Sequence, residues 1–153
     1  MKLPGVPALS TTGSAASPVV LLIGGRNGSW QRKAIVPLGK VVRTLITTDA
    51  PRVHPSEAYL AMTTYLSQAD LIVIWCGIKD DGLYLDEWLW AAFAVAQSPH
   101  KLVAGIERDH DHPMAPALGY LLKEQGVGWF PTLADTLALA HERCRHIREE
   151  RTL

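Results

Sequence analysis

Apolar runs alternate along the chain with segments of helical spacing. The run "PVVLLI", residues 18–23, is rich in β-branched residues and stops at Gly24 and Gly25, which predicts a buried strand. "ADLIVIWC", residues 69–76, is apolar without interruption after Asp70, as in a central parallel strand covered on both sides. "KLVAGIE" predicts another strand, and "VRTLITT" and "GVGWF" shorter ones. Between them, "SWQRKAIVPLGKVVRTL" opens a helix at Ser29 that Pro37 and Gly39 must interrupt or end. "SEAYLAMTTYLSQ" predicts a helix capped by Ser56, with Tyr59, Met62 and Leu66 on one face. "LDEWLWAAFAVAQ" is apolar nearly all round, which predicts burial or a place in a subunit interface. "APALGYLLKEQ" and "TLADTLALAHERCRHIREE" complete the series, the latter with Thr132 as its cap. Strand and helix alternate throughout. This predicts an α/β fold with a single doubly wound parallel sheet of about five strands flanked by helices, Rossmann- or flavodoxin-like. It occupies residues 18–153 as one domain, behind a Pro-, Gly-, Ser- and Ala-rich stretch, residues 1–17, that reads as a flexible tail.

Composition narrows the function classes. The chain has 153 residues, 48% of them hydrophobic, enough for one well-filled core. Fifteen basic and fifteen acidic residues cancel, so no long-range field points to nucleic acid or to an anionic membrane. The start of the chain lacks the continuous apolar core of a secretory signal, and no run approaches the roughly 18 apolar residues of a membrane span. Cys76 and Cys144 show no metal-type spacing, and Cys76 sits in an apolar strand, so buried thiols in a reducing cytoplasm are expected.

In parallel α/β folds, ligands bind beyond the carboxyl ends of the strands, where the strand order reverses. The loop "GGRNGSW" falls short of a dinucleotide fingerprint and lacks the ending of a P-loop. It still offers Gly24 and Gly25 for close approach, Arg26 and Asn27 as donors to a phosphate or sugar, and Trp30 as a stacking surface. The loop "GIKDDGLYLDE" is richer in chemistry. Asp80, Asp81, Asp86 and Glu87 precede an apolar helix, where acidic residues complement the helix dipole and Asp86 can cap it. Glu87, bordered by Tyr84 and Trp88, falls in the first turn, a rigid position from which a carboxylate can attack a sugar carbon or stabilise an oxocarbenium-like transition state. Asp81 can hold sugar hydroxyls without reacting.

A Gly-containing first loop followed by a Trp, then "ADLIVIW", an acidic loop leading to Glu and an alanine-rich helix, then "KLVAGIE", resembles the nucleoside 2-deoxyribosyltransferase-like superfamily. Nucleotide N-glycosidases also belong to it. The resemblance covers roughly residues 18–140. It implies a transferase or hydrolase acting on a nucleoside or nucleotide, with Glu87 as nucleophile on the anomeric carbon. It also implies Asp81 near the sugar 5′ end, no cofactor, and assembly as a homo-oligomer. TIR domains, some of which cleave NAD, are a looser likeness. A nucleotide-binding or interaction module without turnover is the alternative from another class.

The remaining polar residues read more plainly. His110 and His112 in "ERDHDHPM" read as a solvated loop, and His141, Cys144 and His146 as a charged helix end, so no metal is expected. Trp88 and Trp90, two apart on one helix, must point to different sides.

Overall fold

Backbone hydrogen bonding joins the strands side by side, every one parallel to its neighbour, in the order β2-β1-β3-β4-β5. This computed structural model describes residues 17–25, 29–38, 43–46, 55–78 and 85–153. The strands are β1 (Val19–Ile23), β2 (Arg43–Ile46), β3 (Leu71–Cys76), β4 (Leu102–Ile106) and β5 (Trp129–Phe130). The helices are α1 (Ser29–Leu38), α2 (Pro55–Gln68), α3 (Leu85–Gln97), α4 (Met114–Glu124) and α5 (Leu133–Arg151). Four strands of four to six residues make the body of the sheet, while the expected fifth amounts to two residues on the edge beside β4. The proposed tail, up to residue 16, lies outside the described residues.

Successive strand residues point to opposite faces, and two cores result. Leu21, Ile23, Ile72, Ile74 and Ala104 pack under α2, α3 and α4. Val20, Leu22, Leu71, Val73 and Val103 pack under α1 and α5. Right-handed crossovers place α1 on one face and α2, α3 and α4 on the other, because the step from β1 to β2 runs opposite to the steps that follow. After the last strand, α5 packs beside α1. Both central strands are buried along their whole length, which is why they read as continuous apolar runs. At the amino ends of the strands, Asp70 accepts a hydrogen bond from Val19 N at 2.8 Å and pairs with Arg151 at 2.5 Å, tying the last turn of α5 to the sheet. Arg143 donates to the carbonyls of Leu102 and His100, fixing the same helix along β4.

Several local expectations change. Both α2 and α3 begin one residue before the cap expected for them, at Pro55 and Leu85, so Ser56 and Asp86 lie within the first turn. Proline suits that position because its missing N–H would be unpaired there in any case. Tyr59 is exposed and meets Phe93 of α3 edge-on, while Met62 and Leu66 are buried as the spacing predicts. Thr132 caps α5 through a bond from Asp135 N, as expected. Trp88 and Trp90 do leave α3 on different flanks, but both are buried within the chain, Trp90 against Tyr65. Among the described residues, no helix is long and apolar enough to cross a membrane.

Candidate functional site

The strand order reverses between β1 and β3, so the crevice lies beyond Ile23 and Cys76. Glu87 lies in the first turn of the helix that follows β3 and is only 2% exposed. The helix faces the sheet with Trp88, Ala91, Ala94 and Val95, and the small alanines let it lie close. Glu87 is carried inward with that stripe. A carboxylate is among the costliest groups to bury.

At the end of β1 the two glycines serve different purposes. A Cβ on Gly24 would lie 2.4 Å from the indole of Trp30, so the missing side chain makes room for that ring. Gly25 offers its carbonyl to Gln31 Nε2 at 2.7 Å, a buried bond that draws the start of α1 onto the turn. Trp30 is therefore not a stacking surface. It is fully buried under α1, in the core beneath α1 and α5, with no face left for a base. The order Gly-Gly-x-x-x-x-Trp carries a packing signal that looks like a ligand-binding one.

The loop after β4 is more organised than its composition implies. Glu107 N donates to Cys76 O at 2.8 Å, and the Glu107 carboxylate accepts Ile78 N at 2.5 Å, so the loops after β3 and β4 are fastened together. His110 Nε2 bonds Gly77 O at 3.0 Å, and His110 Nδ1 accepts His112 N at 3.2 Å. His112 Nδ1 in turn accepts Met114 N at 3.1 Å. These bonds assign hydrogen to Nε2 of His110, since a nitrogen that accepts a backbone N–H bears none itself. The ring of His112 stacks on Trp88, with centroids 5.1 Å apart and planes 23° apart, and His110 meets the same indole edge-on. The loop is solvated as expected, with His112 exposed and His110 half-buried, but its two histidines are ordered by these bonds. They form a polar clamp over Trp88, the residue next to Glu87. The alternation His-x-His was visible, but only the i to i+2 backbone bonds set both rings against Trp88.

Arg26, Asn27, Asp80, Asp81 and Tyr84 lie outside the described residues. Cys76 and Cys144 are free and buried. Burial pushes the Cys76 thiol far up, so it stays protonated and does not serve as a nucleophile. Among the described residues, no three His, Cys, Asp or Glu side chains gather as metal ligands. Comparison with known protein families, with curated proteins and with solved structures yields no match.

Proposed function

We propose that this protein cleaves or transfers at the N-glycosidic bond of a nucleoside, deoxynucleoside or nucleotide, with Glu87 as the nucleophile. One observation carries the reading: a buried carboxylate at the start of the helix after the central strand, beside the reversal of strand order. The strand order also supports the finer, flavodoxin-like assignment of the fold. Glu87 attacks the anomeric carbon, the C–N bond breaks, and the base departs with the bonding pair and takes up a proton. A glycosyl ester remains on Glu87. Water, or a second base, then displaces the carboxylate, and two displacements give net retention. Asp81 holds the sugar hydroxyls, Arg26 and Asn27 meet a phosphate or sugar, and Asp80 and Tyr84 border the ring. The chemistry requires no cofactor. Unbridged Cys76 and Cys144 support a cytoplasmic setting, and the exposed apolar side chains Tyr59, Leu60 and Leu89 support assembly into homo-oligomers.

The test is chromatography of nucleosides, deoxynucleosides, their 5′-monophosphates and NAD, each incubated with wild type and with Glu87→Ala, with and without an acceptor base. Base release by wild type alone is the expected result. Cleavage of NAD alone would shift the assignment to the TIR-like alternative. The near-complete closure of Glu87 favours one other reading, a nucleotide-binding module without turnover. A nucleotide that binds tightly and stays intact for hours would establish that reading instead.

A further inference from the structure

A cavity of about 510 Å³ opens on the far side of the His110 clamp, between the ends of β4 and β5 and the outer face of α4. Its size falls within the range of roughly 300–1,000 Å³ usual for small-molecule sites. Its walls are unlike the rest of the surface. Of the five tryptophans, four are at most 7% exposed, whereas Trp129, on the edge strand, is 42% exposed and lines this cavity. Tyr120 stands beside it, 67% exposed. Gly119 lets the Trp129 ring lie against α4, since a Cβ there would come within 3.2 Å of it. Two large aromatic side chains are therefore exposed at one cavity, and α4 backs the Trp129 ring.

The charges lining the same cavity can be followed one by one. Arg108 and Lys123 contribute cations, and neither has an ion-pair partner among the described residues. Glu107 contributes a carboxylate already turned onto Ile78 N. Both nitrogens of the His110 ring are engaged, with Gly77 O and His112 N. Asp109, held at φ 61° in the left-handed region that aspartate tolerates, is the second acid, so two carboxylates and two cations line the cavity, and both cations lack an ion-pair partner among the described residues. An aromatic platform flanked by uncommitted cations matches a flat ring that carries a negative group.

We propose that this cavity is a second binding site, separate from Glu87, for a small planar aromatic anion. The ring lies on Trp129 and Tyr120, and its carboxylate or phosphate lies between Arg108 and Lys123. The probe is 2-naphthoate, with 2-naphthamide as its neutral counterpart, titrated calorimetrically into the full chain and followed by the Trp129 indole N–H resonance. Wild type is expected to bind the acid saturably, and the amide about tenfold more weakly, the factor that about 1.4 kcal/mol represents. Lys123→Gln, a change on the exposed face of α4, and Trp129→Leu should each weaken binding by a similar factor. Glu87→Ala should leave it unchanged, so the cavity and the N-glycosidic reading fail separately. Equal affinity for acid and amide, affinity untouched by Lys123→Gln and Trp129→Leu, or no saturable binding would each overturn the proposal.

Discussion

Gly24→Ala tests whether the first glycine of the turn serves packing or ligand approach. The added Cβ would sit 2.4 Å from Cζ2 and Nε1 of Trp30, where ordinary contact begins at 3.4 Å, so the indole must retreat by about 1 Å. It has nowhere open to go, being fully buried beneath α1 and α5. Overpacking of this kind costs about 1–3 kcal/mol, which in a chain of this size lowers Tm by roughly 3–10 °C. The assay is urea unfolding of four proteins: wild type, Gly24→Ala, Trp30→Leu and the double variant. Trp30→Leu alone leaves a void and costs about 2–4 kcal/mol. In the double variant the methyl group occupies part of that void. The combined loss should then fall short of the sum by about 1 kcal/mol or more. Losses that add to within about 0.5 kcal/mol, or a Gly24→Ala protein as stable as wild type, would refute the packing account.

Three further outcomes follow from the same contacts. His112→Ala removes the stack on Trp88 and the acceptor of Met114 N, so it should cost about 1–2 kcal/mol in urea unfolding and speed amide exchange in residues 107–114; unchanged exchange would mean the clamp does not hold the loop. Thr132→Ala deletes the cap that Asp135 N bonds, and should destabilise by about 1 kcal/mol, read as a shift in the urea midpoint without a change in slope. Burial pushes the Cys144 thiol up to about 11, and the native state therefore holds that proton more tightly than the unfolded chain. Its stabilisation is complete below the unfolded thiol value, is lost as pH climbs toward 11, and should be missing from the pH profile of Cys144→Ala.

Much of the fold was legible because burial on both faces leaves a plain mark. "VVLLI" and "LIVIWC" could be placed as strands from their unbroken apolar character, and they are the two central ones. The edge was harder. In "GVGWF" only Trp129 and Phe130 pair with β4, because an edge strand with one neighbour needs no long ladder. Glu87 was legible as a carboxylate at the head of an alanine-rich helix, but its burial was not, because an acidic residue in a first turn is ordinarily solvated. Trp30 misled because an indole can either stack on a ligand or fill a core, and the deciding fact, the close approach to Gly24, lies in three dimensions. The histidine clamp was hidden for a related reason. Its bonds run to backbone N–H groups and to a carbonyl after β3, and neither leaves a trace in residue identity.

Whether Glu87 forms a covalent bond to the sugar is the question on which the account turns. The measurement is mass spectrometry of the intact protein, then of its peptides, after acid quenching of wild type and Glu87→Gln during incubation with the substrate that the chromatographic panel identifies. The account predicts a pentosyl adduct on the peptide containing Glu87 in wild type, and none in the variant. Continued base release by Glu87→Gln, or an adduct on another residue, would contradict it.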